Sequence, residues 1–291
     1  MTTMETALRL STSMEALAAL AAHLRLEQEG LEADPRVRAL LADVAGELLG
    51  DPGGAGPAGP AVVGMTRAFL HQAADLVEDP GRGGAWDQVD EVLLQGMGRL
   101  STAITEAFGA AGAVLDGLGE RLRAPGAAFL DIGTGSGWLA IAMARAHPEL
   151  RVVGIDVFEP ALGLARRNVA AEGLAGRVEL RRLDAVALDE TGTFDAVWLP
   201  LPFVARAVVP AALVAAARAL RPGGWVLPGT FAGPDDRLSG LLVDLRIVRS
   251  GGHPWKADEL GAAMTAAGFG DVGEVARTWA APVRLFAGRR P

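Results

Sequence analysis

The residues with the clearest chemical meaning form a short glycine-rich segment near the middle of the chain. It reads Asp131-Ile-Gly-Thr-Gly-Ser-Gly137 and follows the apolar run Ala128-Phe-Leu, which predicts a buried strand. Glycine tolerates positive φ and has no side chain, so a ligand can lie directly against the backbone at such a turn. A helix predicted to begin at Ser136 would present free N–H groups to the same place. The segment therefore predicts a binding loop for a nucleoside-like ligand.

The spacing of the glycines discriminates between nucleoside ligands. Dinucleotide-binding loops have the pattern G-x-G-x-x-G, whereas this loop is G-x-G-x-G with an acidic residue two positions before the first glycine. Asp156 ends the next predicted strand, where a carboxylate can accept hydrogen bonds from both ribose hydroxyls. Asp184 ends the strand after that and is placed to accept a hydrogen bond from an exocyclic adenine amine. An NAD-linked oxidoreductase is the competing interpretation.

A set of segments, in this order along the chain, resembles the class I S-adenosylmethionine-dependent methyltransferase family. The resemblance covers residues 127–291. It implies an α/β fold with a doubly wound, Rossmann-like, seven-stranded and mostly parallel sheet, S-adenosylmethionine as cofactor, and no metal. The segments are Leu130-Asp-Ile-Gly-Thr-Gly-Ser-Gly137, Val153-Gly-Ile-Asp156, Leu183-Asp-Ala185, Phe194-Asp-Ala-Val-Trp-Leu199 and Leu220-Arg-Pro-Gly-Gly-Trp225.

The resemblance also implies which residues hold the cofactor. In the family, the glycine loop cradles the methionyl and ribose parts, the acid ending the second strand binds ribose, and the acid after the third strand binds adenine. The cofactor-binding residues predicted on this basis are Asp131, Gly133, Thr134, Gly135, Gly137, Asp156, Val157, Asp184, Ala185 and Leu199.

The residues after the fourth predicted strand bear on the methyl acceptor. Some amino-group methyltransferases have Asn or Asp here, followed by two prolines and an aromatic residue. In this chain Leu199 stands at the polar position and Leu201 separates the prolines. The departure removes a group that would hold an exocyclic nitrogen, which argues against a nucleobase acceptor. It favours a substrate pocket with an apolar wall made by Pro200, Pro202 and Phe203, although the same residues could simply pack on the sheet.

A second candidate segment is Gly251-Gly-His253-Pro-Trp255, which precedes the helix predicted over Asp258–Ala267. A hydroxyl acceptor needs a base to remove its proton, and imidazole is well suited to that near neutral pH. Among the 4 histidines, His253 is the best catalytic candidate by position, with Trp255 beside it as an aromatic platform in the substrate pocket. The alternative interpretation is that His253 only packs or caps this loop.

The sequence patterns on either side of residue 125 differ. Residues 1–125 predict helices without a convincing strand and are expected to form an all-helical cap that covers the substrate. Leu17, Leu20 and Leu24 show the helical spacing, and a Gly/Pro/Ala stretch over residues 50–60 predicts a linker. Residues 126–291 alternate strands and helices, which predicts the Rossmann-like, S-adenosylmethionine-binding catalytic domain.

The last part of the helical region contains residues suited to closing over a cofactor. The glycines in Gln95-Gly-Met-Gly-Arg99 lower the helix propensity. Close approach to a ligand or to another helix would explain them, and a kinked but otherwise ordinary helix would explain them equally well. The polar and aromatic residues concerned are Trp86, Gln95, Arg99 and Ser101.

Composition limits the function classes. The 291-residue chain has a formal net charge of −8 and no Cys. The absence of Cys excludes disulfides, thiolate metal sites and a Cys nucleophile. The acidic balance argues against a nucleic-acid substrate, which calls for a basic face. Since no apolar run is long enough to span a bilayer and the N-terminus lacks a signal-peptide pattern, no membrane association and a cytoplasmic location are predicted.

Together these patterns predict methyl transfer from S-adenosylmethionine to a small or medium-sized, partly apolar acceptor, with specialised bacterial metabolism suggested by analogy. Oxygen, nitrogen and carbon all remain open as the methylated atom, as do a peptide acceptor and a homodimer. The alternative from another class is a non-catalytic module that binds S-adenosylmethionine or its product, S-adenosylhomocysteine.

Overall fold

A computed structural model describes residues 2–50, 59–84 and 89–291. The chain divides into two compact units: residues up to 80 together with 95–100, and residues 81–94 together with 101–291. Packing thus groups the helices over residues 104–123 with the sheet, although the sequence pattern places them in the helical region 1–125. Most of the predicted linker, at residues 51–58, and the predicted cap residue Trp86 lie outside the described residues.

The helical unit is built from α1 (Thr3–Glu29), α2 (Pro35–Leu49) and α3 (Gly59–Glu78), together with part of α4 (Glu91–Ser101). α1 begins with a capping box: the Thr2 hydroxyl accepts from the Glu5 N–H, and the Glu5 carboxylate accepts from the Thr2 N–H. Pro35 lies in the first turn of α2, where its fixed φ suits a helix start.

A close helix contact accounts for one of the α4 glycines. Gly96 of α4 and Gly64 of α3 lie backbone to backbone, because a Cβ added at Gly96 would be 3.0 Å from the Gly64 carbonyl oxygen. A side chain at either position would push the two helices apart. Of the explanations that the sequence left open for Gly96, approach to another helix is the one observed.

The second unit contains a seven-stranded sheet with the order β3-β2-β1-β4-β5-β7-β6. β7 runs antiparallel to β5 and β6, and the other neighbours are parallel. The predicted α/β class and mostly parallel sheet are thereby confirmed. The strands are β1 (Ala128–Ile132), β2 (Arg151–Asp156), β3 (Val178–Arg182), β4 (Phe194–Pro200), β5 (Leu220–Phe231), β6 (Gly270–Glu274) and β7 (Val283–Arg289).

Helices cover both faces of the sheet. Phe129 and Leu130 of β1 illustrate the alternation: Phe129 packs in a cluster with α5 and α7, and Leu130 packs in another with α9 and α11. The helices of this unit are α5 (Ile104–Val114), α6 (Leu118–Arg123), α7 (Trp138–Ala146), α8 (Glu159–Ala171), α9 (Val209–Ala219), α10 (Arg237–Arg249) and α11 (Ala257–Ala266), with short 3₁₀ turns at Ala185–Ala187 and Leu201–Phe203.

β5 and α10 differ from the sequence prediction. β5 runs over Leu220–Phe231 rather than the predicted Gly224–Leu227, because it pairs with both β4 and β7 beyond the apolar centre. α10 is not predicted from the sequence at all. Its apolar residues lie on two opposite sides of the helix, which hides the 3.6-residue period that marks an amphipathic helix. Within the described ranges, no helix is both long and apolar enough to traverse a bilayer.

A buried charge network fixes the amino-terminal end of β4. Asp195 accepts a hydrogen bond of 2.9 Å from the Ala128 N–H of β1 and is ion-paired with Arg221 and Arg121. Because Asp195 is only 4% exposed, these partners are what allow its charge to be buried. The network ties β4 to β1, to the start of β5 and to α6, at the edge opposite the glycine loop, so Asp195 has a structural role.

Candidate active site

The glycine loop between β1 and α7 has the backbone geometry that its sequence predicts. Gly133, Gly135 and Gly137 have φ values of +65°, +55° and +81°, which side-chain-bearing residues rarely adopt. A Cβ at Gly133 would lie 2.9 Å from Pro200 Cγ, and one at Gly137 would lie 3.0 Å from Ala165 Cβ. At Gly135 the nearest atom would be 4.0 Å away, so the backbone there is open to a ligand.

Asp156, at the end of β2, holds this loop in place. Its Oδ2 accepts a hydrogen bond of 2.8 Å from the Gly135 N–H, and its Oδ1 accepts one of 2.9 Å from the Phe158 N–H. Burial raises the pKa of Asp156, and these backbone hydrogen bonds oppose the rise. Each carboxylate oxygen can accept a further bond, so the side chain can brace the loop and also bind ribose hydroxyls.

Asp131 is a buried carboxyl group beneath the loop. It is 1% exposed, and the Thr134 hydroxyl donates a 2.7 Å hydrogen bond to its Oδ2. Burial raises the pKa of Asp131 to about 7, the hydrogen bond from Thr134 opposes the rise, and the charge of Asp156 adds to it. Thr134 fits because Gly154 of β2 has no side chain: a Cβ there would lie 2.7 Å from the Thr134 hydroxyl.

The predicted adenine side of the site lies at the carboxyl ends of β2 and β3, which are neighbours in the sheet. Asp184 is exposed, and its Oδ1 accepts a 3.0 Å hydrogen bond from the Val186 N–H, which starts the turn at Ala185. Val157 has an exposed side chain next to Asp156. The structure therefore brings these predicted residues to one edge, with a carboxylate and an apolar surface accessible there.

The first turn of α4 was not singled out from the sequence, yet it contacts the glycine loop. The Ser136 hydroxyl donates a 3.0 Å hydrogen bond to the Leu94 carbonyl, and the Asn168 side chain donates one of 2.8 Å to the Ser136 carbonyl. Leu94 also packs against Ala161 and Leu164 of α8. Leu93 and Leu94 would have been recognisable only as an ordinary apolar pair. A role for Gln95, Arg99 and Ser101 in closing over the cofactor stays a prediction.

The residues at the end of β4 and in the turn after it are mostly part of the core. The side chain of Leu199 has no exposed surface, so any contact with a cofactor would be limited to its backbone. Pro200 and Pro202 are also buried, with Pro200 against the glycine loop. Phe203 is half-buried and packs edge-on against Phe231 at the end of β5, with ring centres 5.8 Å apart.

Arg246 of α10 adds a positive charge to this aromatic pair. Its guanidinium carbon lies 5.8 Å from the centre of the Phe231 ring, and burial lowers the pKa of Arg246. Neither Phe231 nor Arg246 is among the residues predicted from the sequence. Phe231 could have been found as the residue at the carboxyl end of a correctly extended β5, whereas the position of Arg246 depends on a helix that the pattern hides.

The His253 loop packs directly on the turn after β4. A Cβ at Gly252 would lie 2.5 Å from the Pro202 carbonyl oxygen, so glycine is what permits the approach. The His253 Nε2 lies 3.3 Å from Glu259 Oε2 of α11. The His253 ring is also edge-on to Trp255, with ring centres 5.1 Å apart. The structure thus brings His253 to the predicted acceptor wall and adds a carboxylate that the sequence analysis missed.

Trp255 and Arg206 complete this cluster. Trp255 is 8% exposed and packs in the core with Leu260, so a substrate could meet only the exposed edge of its ring. Arg206 forms an ion pair with Glu259, and its guanidinium carbon lies 5.8 Å from the centre of the Trp255 ring. Arg206 pairs with Oε1 of Glu259, whereas His253 lies next to Oε2, so the two partners use different oxygens of the same carboxylate.

Parts of this chain are similar in sequence to known proteins. Residues 129–224 match a family model described as a methyltransferase domain. The chain is 38% identical over 115 residues to a demethylmenaquinone methyltransferase of Thermus thermophilus, covering 39% of this chain and 51% of the relative. It is 32% identical over 149 residues to a ubiquinone biosynthesis O-methyltransferase of Hahella chejuensis, covering 49% and 60%. Among the first curated relatives, the chain spans about half of their length or less.

Solved structures resemble the chain over its full length. An O-methyltransferase family protein from Burkholderia thailandensis superposes with a TM-score of 0.66 at 20% identity, covering 100% of this chain and 98% of that protein. At this identity the similarity shows the fold. With the matched domain, the strand order and the motifs above, it shows that this chain resembles the class I S-adenosylmethionine-dependent methyltransferase family, with residues 129–224 matching the methyltransferase domain itself.

The residues present fit S-adenosylmethionine, the methyl donor that defines this family. The open backbone at Gly135 leaves room for the ligand, and Asp156 has acceptor capacity for two ribose hydroxyls. The exposed Asp184 carboxylate can accept from an adenine amine, and Val157 offers an apolar surface to the adenine ring.

Proposed function

We propose that this protein transfers the methyl group of S-adenosylmethionine to a hydroxyl oxygen of a small or medium-sized, partly apolar acceptor. The observation that carries the proposal is the open glycine loop, with all three glycines at positive φ, braced by Asp156 and placed against Pro200 at the end of β4. S-adenosylmethionine supplies an activated methyl group on a sulfonium. The protein must therefore align the acceptor and exclude water, and proximity contributes much of the rate.

The apolar character of the acceptor rests on the wall after β4. Pro200 and Pro202 are buried at this edge, and Phe203 with Phe231 presents a partly exposed aromatic pair. Oxygen is preferred as the methylated atom because the similar proteins include a ubiquinone biosynthesis O-methyltransferase and an O-methyltransferase family protein. It is also the acceptor atom that requires a base, and a histidine lies at this wall.

His253 is proposed as that base. Glu259, 3.3 Å from Nε2, favours the tautomer with its proton on Nε2, which leaves Nδ1 free of a proton and able to accept one. In this assignment the acceptor hydroxyl gives its proton to Nδ1 as the methyl group is transferred to its oxygen. The ion pair between Arg206 and Glu259 holds the carboxylate in position.

Calorimetric titration with S-adenosylmethionine, S-adenosylhomocysteine and NAD tests the cofactor assignment. We expect the first two to bind and NAD not to bind. Binding of NAD alone would overturn the proposal in favour of an oxidoreductase.

A turnover assay tests the acceptor assignment. A panel of aromatic compounds carrying a hydroxyl is compared with the same compounds carrying an amine or a hydrogen instead, and formation of S-adenosylhomocysteine is measured. We expect turnover with the hydroxyl compounds. Cofactor binding without turnover across the panel would instead favour the non-catalytic binding module, and turnover of the amines alone would refute the oxygen assignment.

A further inference from the structure

α10 exposes a continuous stripe of apolar side chains. The stripe consists of Leu238, Leu241, Leu242, Leu245 and Val248, which are each between 41% and 63% exposed. Their spacing of three and four residues places them within an arc of about 120° on the helix surface. A contiguous apolar patch of this kind is unusual on a surface that faces only water.

The opposite side of α10 is already packed against its own unit. Ile247 is 2% exposed. Val243 packs against Gly233, because a Cβ added at Gly233 would lie 3.1 Å from Val243 Cγ2. The exposed stripe is therefore a second apolar face and is not needed to hold the helix on the sheet. A helix that is apolar on both sides is typically covered on both sides.

The charges around the stripe favour a protein partner over an anionic lipid surface. The segment 235–249 contains Asp235, Asp236 and Asp244 against Arg237, Arg246 and Arg249, so its net charge is zero. Helices that lie on anionic membranes carry an excess of Lys and Arg on their polar face. Here the first two acids precede the helix and two of the bases lie in its last turn.

That distribution is complementary to itself when two copies of the helix pair antiparallel. The acidic start of one copy then lies beside the basic end of the other, and the helix dipoles also oppose each other favourably. The stripe is symmetric about position 243. In the antiparallel pair, Leu238 of one copy lies level with Val248 of the other, and Leu241 of one copy lies level with Leu245 of the other. A two-fold axis at this point therefore matches apolar residues with apolar residues, as an isologous interface requires.

We infer that the exposed face of α10 is an interface with a second copy of this chain, the two helices packing antiparallel about a two-fold axis near position 243. The stripe offers on the order of a few hundred Å² per copy, whereas a standard interface buries about 800 Å² per partner. α10 thus supplies the centre of the interface but not all of it.

Sedimentation equilibrium of the full chain tests the inference. We expect the wild type to associate to twice its mass of 30.0 kDa. In the variant carrying both Leu241→Glu and Leu245→Glu, the dissociation constant should rise roughly 100-fold or more, because four charges would then be buried at the centre of the interface. The matched control is Val214→Glu on α9, which is 54% exposed and should leave the dissociation constant unchanged. Circular dichroism checks that each variant is folded.

A second measurement does not depend on charged variants. The chain has no Cys, so one introduced cysteine is the only thiol present. In the proposed pairing, the two copies of residue 242 are about 3 Å apart along the helix axis, and those of residue 248 are about 15 Å apart. A short bismaleimide should therefore cross-link Leu242→Cys efficiently, and Val248→Cys and Val214→Cys poorly.

Three results would overturn the inference: a monomeric wild type at every concentration, a dimer that tolerates both glutamates, or equal cross-linking at the three positions. If the monomer instead floats with anionic vesicles and the double variant does not, the face belongs to a lipid surface and the inference is also wrong.

Discussion

Asp156 has a structural role in the glycine loop and a proposed role in binding ribose. It fixes the glycine loop through the Gly135 N–H, and its remaining acceptor capacity is available to a ribose. Asp131 is different, because it is buried beneath the loop and its charge is costly. His253 depends on neighbours from α11 and from the turn before α9. Each of these residues gives a separate prediction.

Asp156→Ala should weaken S-adenosylmethionine binding by roughly 10- to 100-fold, because a charge-assisted acceptor and the brace on the loop are lost together. Calorimetry measures the dissociation constant. Asp189→Ala removes an exposed carboxylate after β3 and serves as the matched control. An unchanged dissociation constant in Asp156→Ala would refute the ribose assignment.

Asp131 should make stability depend on pH. Its folded pKa of about 7 lies above the ordinary value of 3.8, so the folded state holds the proton more tightly than the unfolded chain does. Protonated Asp131 contributes fully to the free energy of unfolding below about pH 4, and this contribution is lost as the pH rises through about 7. The free energy of unfolding changes by roughly 4 kcal/mol at most for this reason. Asp131→Asn should remove this part of the pH dependence. Urea unfolding at pH 5 and pH 8 measures it, and identical pH dependence in both proteins would contradict the prediction.

His253→Ala should lower kcat by at least about 100-fold while leaving the dissociation constant of S-adenosylmethionine nearly unchanged, since a base acts on the acceptor. Glu259→Gln should reduce kcat less, because the imidazole loses only the carboxylate that favours the tautomer with its proton on Nε2. His71→Ala on α3 is the exposed control. Full activity of His253→Ala would leave the residue with only its packing role.

Most residues of the candidate site lie at the carboxyl ends of strands and in the turns that follow them. β1, β2 and β4 bring their carboxyl ends to one edge, as parallel neighbours must. The motifs at these ends were predictable because each strand is a buried apolar run followed by a turn. α10 was not predictable, because its two apolar faces conceal the helical period. β5 was underestimated because it contains Pro222 and Pro228, which are uncommon within strands.

Gly154 shows how a strand residue supports the loop above it. In Gly154→Ala the new Cβ would lie 2.7 Å from the Thr134 hydroxyl and 2.9 Å from Leu180 Cδ2. We expect destabilisation by about 1–3 kcal/mol and weaker cofactor binding, because Thr134 must move. Gly163→Ala on α8 meets no atom within 4 Å and should instead stabilise the protein by about 0.5–1 kcal/mol. Chemical denaturation measures both, and equal effects of the two variants would contradict the steric explanation.

The protein contains two compact units, and such units can unfold separately. A single thermal transition temperature therefore need not describe the unfolding of the whole molecule. Ligand binding acts only on the folded unit that holds the ligand. S-adenosylhomocysteine at 100 times its dissociation constant should therefore stabilise the sheet unit by about 2.7 kcal/mol. Differential scanning calorimetry should show a higher transition temperature with this ligand and no change with NAD. A shift with NAD of the same size would contradict the cofactor assignment.

The sequence by itself determined the sheet and its ligand edge. Buried strands and glycine turns depend on local residue types. Asp131–Gly137, Asp156 and Asp184 could therefore be predicted as ligand-binding residues without knowledge of their contacts in space. Tertiary structure decided the rest, because those contacts join residues far apart in the chain: Asp156 with Gly135, Pro200 with Gly133, and the His253 loop with the turn after β4. Glu259 and Arg206 became visible only through such contacts, and the exposed face of α10 only through the burial of its opposite side.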